Sequence, residues 1–177
     1  MDIGKCSQNI LLKNEGRSAS VNPFFKTDGN VKTVLGSIPM ERPTNFEDGP
    51  SKFYMLFKLN SIDSKCVCVG IQQQGGDLEK DSFDYRYGFQ LNCNNGDICR
   101  LGQRKEYINL GKHPITDGST IGVMLNMWDG ELQFQIDGVN CGSASKDKRL
   151  KQGSYFPAVL LMNKDDKVSL LNPRKLT

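Results

Sequence analysis

The stretch TIGVMLNMWDGELQFQIDGVNCGSA, at residues 120–144, decides the fold. Apolar side chains recur at every second position over 121–127 and again over 131–136, which is the period of β-strands with one buried face. Residues 128–130 form a turn between these two runs. Asp137-Gly138 then favours a two-residue type I′ hairpin, because both central positions of that turn need positive φ. The stretch therefore predicts an antiparallel meander of three strands.

The same pattern of short strands and turn residues extends in both directions from this meander. Turn signals recur every eight to twelve residues, the spacing expected of a sandwich or a barrel, so we predict an all-β fold. Long loops are predicted at 36–50, 72–84 and 143–153, and loops on a β scaffold are where function usually lies. Further strands are predicted at 9–13, 19–21, 31–35, 53–60, 66–69, 85–91, 98–101, 155–162 and 168–171.

Composition places the chain among ordinary globular domains. Its 177 residues fit one domain, and we expect a single domain over 1–177. The net charge of +3 comes without a clustered basic stripe, which disfavours nucleic-acid binding. No stretch approaches the roughly 20 apolar residues that span a bilayer, so we expect no membrane insertion.

Cysteine usage bears on the compartment and on metal binding. The first fourteen residues lack the apolar run of a signal peptide, so we expect an intracellular protein, cytoplasmic or nuclear, with reduced thiols. Cys66 and Cys68 would point to one face of a strand, and Cys93 and Cys99 flank a predicted turn. Neither pair has the spacing typical of a zinc site, so we interpret these cysteines as core residues and predict no bound metal.

Catalytic signals are sparse. His113 is the only histidine and lies in a loop-like context, and no nucleophile elbow or phosphate-binding glycine loop is present. The acidic pairs Asp129 with Glu131 and Asp165 with Asp166 fall at turns, where carboxylates are ordinarily solvated. We therefore predict that the protein is not an enzyme and uses no cofactor.

An ordered series of short motifs resembles the SPRY domain family. No single motif is specific, but their order and intervals are, and the resemblance covers residues 8–172. A Phe-Tyr pair at 53–54 resembles the aromatic strand of the family, and 67–71 (VCVGI) resembles its V-x-V-G strand. The downstream motifs are Tyr87-Gly88, DGSTIGV at 117–123, GELQF at 130–134, Asp137-Gly138, GSA at 142–144 and YFPAV at 155–159.

The resemblance implies a two-sheet antiparallel β-sandwich, a concanavalin-like jelly roll that binds proteins or peptides through loops at one edge. It further implies a non-catalytic recognition subunit or adaptor in a larger assembly, such as a ubiquitin-ligase, chromatin, channel or cytoskeletal complex. A preformed sandwich would hold its binding loops with little loss of ordering entropy. The family's aromatic-rich loop after the V-x-V-G strand is here QQQGG at 72–76, a departure that affects the partner and not the fold.

The resemblance also implies a binding surface made from three segments of the chain. Side-chain amides and backbone groups there would hydrogen-bond an extended peptide, while Leu78 and Met162 would provide apolar contact. The predicted partner-binding residues are Met40, Arg42, Gln72, Gln73, Gln74, Asp77, Leu78, Met162, Asn163 and Lys164.

Three questions stay open from the sequence. A carbohydrate-binding sandwich is the alternative function, with a calcium site at 92–97, although that cluster is better explained as a hairpin turn. The basic segment 146–151 is best interpreted as a solvated loop, whereas the acidic segment 77–84 falls where binding loops are expected. Trp128, the only tryptophan, lies at a hairpin tip and is either an interaction residue or folded over its own hairpin or an adjacent loop.

Overall fold

Short β-strands dominate the computed structural model, which describes residues 1, 6–24, 32–44, 51–62, 66–73, 88–100 and 103–171. A single 3-10 turn, Lys148–Lys151, interrupts them in this described part of the chain. The strands are β1 (Ile10–Lys13), β2 (Ser18–Val21), β3 (Lys32–Leu35), β4 (Met40–Glu41), β5 (Lys52–Ser61), β6 (Cys68–Gln73), β7 (Gly88–Asn92), β8 (Asp97–Arg100), β9 (Gln103–Glu106), β10 (Thr120–Asn126), β11 (Glu131–Ile136), β12 (Val139–Lys146), β13 (Ser154–Leu161) and β14 (Lys167–Leu171).

Two antiparallel sheets form the sandwich and confirm the predicted fold class. The first sheet has the order β1-β2-β14-β5-β10-β11-β12. The second has the order β3-β13-β6-β7-β8-β9, and β4 pairs with β13 as well. Because β3 pairs with the end of β13 and β4 with its beginning, one flank of β13 carries two short strands in line.

Alternating side chains fill the space between the sheets. In β10 and β11, Val123 lies opposite Phe134 and Leu125 opposite Leu132, and all four side chains are buried. Burying one side chain of this size contributes about 1.5–3 kcal/mol. Each strand alone is too short to be stable, so the shared core holds the meander together.

The predicted hairpin after β11 is confirmed by its backbone. Asp137 has φ 48° and Gly138 has φ 83°, the two positive values that a type I′ turn requires. The Asp137 carboxylate also accepts hydrogen bonds from the Thr120 backbone N–H at 2.6 Å and from the Ser119 hydroxyl at 3.0 Å. The turn therefore fastens the start of β10, which the Asp-Gly pattern alone does not show.

The interval 143–153 differs from the predicted loop. β12 continues through it to Lys146, and the 3-10 turn follows. Asp147 caps this turn by accepting the Arg149 N–H at 2.9 Å, and Leu150 is fully buried beneath it. Because this segment is rich in charged residues, the sequence pattern did not reveal that Leu150 is buried.

Four of the free cysteines are buried, as expected of core cysteines: Cys66, Cys68, Cys93 and Cys99. The Sγ atoms of Cys66 and Cys68 lie 4.0 Å apart, and this contact together with burial raises the pKa of the Cys68 thiol well above its usual range. Among the described residues, no cluster of three or more possible ligands is arranged to hold a metal ion. No helix in the same residues is long and apolar enough to cross a membrane.

Candidate functional site

A groove opens at one end of the sandwich, where two chain segments separate. Met40 and Glu41 of β4 pair with Tyr155 and Ser154 of β13, and beyond the Glu41–Ser154 pair the chains diverge. The space between them is an open groove of about 530 Å³. We call it the β4–β13 groove, and it is lined by Glu41, Arg42, Pro43, Thr44, Lys151, Gln152, Gly153 and Ser154.

Side chains tie the base of this groove together. The Ser154 hydroxyl donates a hydrogen bond to the Glu41 carboxylate. Gln73, at the end of β6, is paired with Tyr155 and lies against Gly153: a Cβ on Gly153 would stand 2.9 Å from the Gln73 amide nitrogen. Gly153 also has φ 82°, a conformation that favours glycine. The glycine therefore makes room for Gln73 next to the groove lining.

Arg42 and Trp128 form a cation–π contact beside the groove. The Arg42 guanidinium carbon lies 4.0 Å from the centre of the Trp128 ring. The hairpin tip that carries the tryptophan is fixed by Asn126, whose side-chain oxygen accepts the N–H groups of Trp128 at 3.0 Å and Asp129 at 3.2 Å. Trp128 thus packs on a segment almost ninety positions away in sequence, which answers the question left open above.

The 3-10 turn packs directly against the same hairpin. The Asp147 N–H donates to the Gly130 carbonyl at 2.8 Å, and a Cβ on Gly130 would stand 2.5 Å from the Asp147 carbonyl oxygen. Arg149 donates two side-chain hydrogen bonds to the Asp147 carboxylate, at 3.0 and 2.7 Å, which lower the pKa of that carboxyl. The hairpin tip and the 3-10 turn therefore behave as one rigid support for the groove.

Tyr155 joins this support to the core. Its ring is buried and packs edge-on against Phe89, with the ring centres 6.3 Å apart. Its hydroxyl donates to the Arg149 carbonyl at 3.0 Å, and burial raises the pKa of Tyr155 to about 12. The groove is consequently anchored to the centre of the sandwich.

This anchoring predicts a specific loss of stability at alkaline pH. Because the folded pKa of Tyr155 exceeds the unfolded value of about 10, its contribution is complete below pH 10 and declines as the pH rises towards 12. Tyr155→Phe should cost stability at pH 8, where the hydroxyl bond is lost, and the gap to the wild type should narrow at pH 11. Urea unfolding at both pH values measures this. A gap that stays constant would contradict the assignment.

Some of the predicted binding residues lie at the groove, and others are buried inside the protein. Arg42 and Gln73 lie at the β4–β13 groove. Met40, in contrast, is only 4% exposed and belongs to the core. Gln72 is only 7% exposed, and its side-chain oxygen accepts a hydrogen bond from the Gln90 amide at 2.9 Å. These two side chains are engaged inside the protein, because their strand positions direct them away from solvent.

Met162, Asn163 and Lys164 lie at the opposite end of β13 from the groove. Gln73 pairs near the start of β13 and Cys68 near its end, so the turn after Leu161 is separated from the groove by about seven residues, or about 23 Å. Among the described residues, Met162, Asn163 and Lys164 therefore do not share a surface with Arg42. Gln74, Asp77 and Leu78 lie outside the described residues.

The turn after Leu161 is also more buried than expected. Met162 packs against the cluster of Cys66, Cys68 and Leu160. Asp166, predicted to be solvated, is fully buried, and its carboxylate accepts the N–H groups of Met162 at 3.1 Å and Asn163 at 2.7 Å. This carboxylate holds the turn in shape, so the acid serves structure at this position.

The sequence pattern missed one wall of the groove. Lys151, Gln152 and Gly153 lie in the predicted loop 143–153 and Ser154 just before the strand predicted at 155–162, and none of the four was among the predicted binding residues. Pairing of β4 with β13 brings this wall to Arg42. That pairing involves two residues on the β4 side, too few for a periodic pattern in the sequence.

Comparison with known proteins identifies relatives of this fold. The family model described as "SPRY domain" matches residues 52–174. The fold resembles the crystal structure of the SPRY domain of human HERC1, with TM-score 0.73 and 17% identity over 97% of this chain and 96% of that one. A second human SPRY domain structure gives TM-score 0.69 and 17% identity, covering 92% and 94% of the two chains. The TRIM65 PSpry domain gives 0.65 and 10%, covering 97% and 90%. No protein in the curated collection matches the sequence.

Proposed function

This chain belongs to the SPRY domain family, whose members typically bind proteins or peptides, and on that premise we propose that it is a non-catalytic protein- or peptide-binding module. We place it as a recognition subunit or adaptor within a larger intracellular assembly, in the cytoplasm or the nucleus. The binding surface in this proposal is the β4–β13 groove with Arg42 and Trp128 at its side.

The open groove, with its hydrogen-bonded support, is the observation that carries this proposal. It lies between two diverging chain segments, next to a tryptophan–arginine contact, and both residue types are enriched where binding energy concentrates. An extended peptide fits an open trough of this kind better than an enclosed small molecule does. Since Tyr155 and the 3-10 turn hold the groove from beneath, little ordering entropy is lost on binding.

The groove chemistry favours binding over catalysis. Glu41 accepts a hydrogen bond from Ser154, and Asp147 beside the groove is held by Arg149. Neither histidine nor cysteine occurs among the residues that line the groove. The Ser154 hydroxyl and the Glu41 carboxylate are the one possible nucleophile–base pair among the lining residues, and no third lining residue is hydrogen-bonded to Glu41 to orient it, as covalent catalysis usually requires.

The cluster considered for calcium is a closed turn in this structure. The Asn94 N–H donates to the Asn92 side-chain oxygen at 2.9 Å, and the Asp97 N–H donates to the Asn95 side-chain oxygen at 3.0 Å. The Asn95 amide donates in turn to the Asp97 carboxylate at 2.9 Å. These oxygens already accept N–H donors, which supports the hairpin interpretation over the carbohydrate-binding alternative.

Blocking the groove should abolish capture of the partner. Gln152→Trp adds a bulky side chain to an exposed position of the groove wall, and we expect at least a tenfold loss of the proteins that co-purify with the wild type, because filling the trough removes its central contacts. Affinity purification followed by mass spectrometry measures this loss.

The matched control makes the same change elsewhere. Gln103→Trp lies on exposed β9, four strands from β13 in the sheet order, and should leave capture unchanged. Melting temperatures of both variants verify folding. Equal capture by the two variants would reject the groove as the binding surface, and no protein enriched over a mock purification would reject the binding function.

A further inference from the structure

Basic side chains around the β4–β13 groove outnumber the acidic side chains with which they could form ion pairs. Glu41 is hydrogen-bonded to Ser154. Nearby, Lys146 pairs with Glu131 at 3.7 Å, and Arg149 pairs with Asp147 at 2.7 Å. Three further cations lie beside these groups, namely Arg42, Lys148 and Lys151. None of the three takes part in an ion pair formed by the described residues.

Trp128 holds Arg42 beside the groove. The Arg42 guanidinium carbon lies over the Trp128 ring, 4.0 Å from its centre. A guanidinium carries five N–H donors, so this contact leaves donors for the bidentate geometry that carboxylates favour. The aromatic contact also restricts the side chain before any ligand arrives, which lowers the entropy that binding must overcome.

Lys151 approaches the groove from the opposite wall. Its Cγ and Cε atoms would stand 3.0 and 3.1 Å from a Cβ on Gly130, so its aliphatic stem lies directly on this glycine. A packed stem positions the terminal ammonium while leaving it charged and hydrated. Two partly ordered cations, one on each wall, therefore line the same trough.

We propose that the β4–β13 groove binds an extended protein segment rich in Asp and Glu, with its carboxylates held by Arg42 and Lys151. This inference rests on the proposed binding function and deepens it by defining the chemistry of the partner. Charge complementarity carries it, because the lining has two cations, Arg42 and Lys151, against one acid, Glu41. Side chains of an extended segment alternate in direction, so acids at every second position all face the groove floor.

A defined peptide pair tests the inference. The probe is a fluorescein-labelled nine-residue peptide of alternating Glu and Ala, and its comparison peptide has Gln at every Glu position. Fluorescence anisotropy at low salt should give at least about tenfold weaker binding for the Gln peptide, since one lost charge-assisted hydrogen bond costs about tenfold or more. Equal affinity of the two peptides would overturn the proposal, and so would failure of the acidic peptide to bind at millimolar concentration.

Charge-removing variants locate the site. Arg42→Gln combined with Lys151→Gln should weaken the acidic peptide at least about tenfold, whereas Lys164→Gln at the opposite end should change it less than about twofold. Equal losses of affinity in the double variant and in Lys164→Gln would show that the acidic peptide does not bind at the β4–β13 groove. Double-stranded DNA and phosphatidylserine vesicles serve as further probes, and binding of either with the same sensitivity to Arg42→Gln would overturn the commitment to an acidic protein segment.

The proposed function and this inference can fail separately. If the acidic peptide does not bind while Gln152→Trp still abolishes capture of co-purifying proteins, the binding function stands and the acidic partner is wrong. If Gln152→Trp leaves capture unchanged while the peptide binds with the expected sensitivity to Arg42 and Lys151, the groove recognises acids and the assignment of those captured proteins to it is wrong.

Discussion

Phe89→Ala is expected to lower the free energy of unfolding by about 3–5 kcal/mol, a large part of the about 5–15 kcal/mol that stabilises an ordinary domain. Phe89 is completely buried in β7, and its ring packs edge-on against Tyr155. Alanine would leave a cavity between the sheets, because strands paired on both sides cannot collapse into it. The loss therefore combines lost burial with lost packing.

Urea unfolding followed by circular dichroism measures this change, and the chain offers a matched control. Phe24 is 93% exposed, so Phe24→Ala should alter stability by less than about 0.5 kcal/mol. Phe89→Ala should also release Tyr155 and weaken groove binding, since the two rings are in contact. Comparable effects of the two alanine variants would contradict the packing described for β7.

The central meander was predictable because its signals are local. Alternation over 121–127 and 131–136 specifies which side chains face the core, and Asp137-Gly138 specifies the turn. Each of these signals depends on residues that are close together in sequence, so it can be recognised without knowing the three-dimensional structure. The observed strands β10 and β11 match those ranges within one residue.

The predicted strand boundaries were wrong where side chains on both faces of the sheet are buried. The run 66–69 predicted a strand, but β6 extends from Cys68 to Gln73 and includes Gln72, a polar side chain that the alternation rule assigns to solvent. Its partner Gln90 comes from the neighbouring strand β7. A buried polar pair of this kind depends on strand register, which the local pattern does not specify.

The candidate site was only half predictable for the same reason. Arg42 was proposed from the family resemblance, whereas its contact with Trp128 depends on how β4 and the hairpin tip meet in space. The family-based surface also joined Met162 to Arg42, and the antiparallel register of β6 and β13 separates them. The sequence of a strand does not show which other segments of the chain lie near each of its two ends.

Gly96→Ala is expected to lower the free energy of unfolding by about 3 kcal/mol, through two separable effects. Gly96 has φ 78°, which costs an alanine about 1–2 kcal/mol. In addition, a Cβ at this position would stand 2.2 Å from the Ile108 carbonyl oxygen, a backbone atom that accommodates the clash only if the turn moves. That movement would break the bond from the Ile108 N–H to the Gly96 carbonyl, now 2.9 Å long.

Gly138→Ala isolates the first effect, because Gly138 has φ 83° and no atom lies within 4 Å of its Cβ position. We expect it to cost about 1–2 kcal/mol, the conformational part alone. The difference between the two variants in urea unfolding then measures the clash itself, about 1–3 kcal/mol. Equal losses would mean that the segment around Ile108 yields freely and that the turn after β7 is not packed against it. A larger loss at Gly96 would show that this contact, in addition to the backbone angle, requires glycine there.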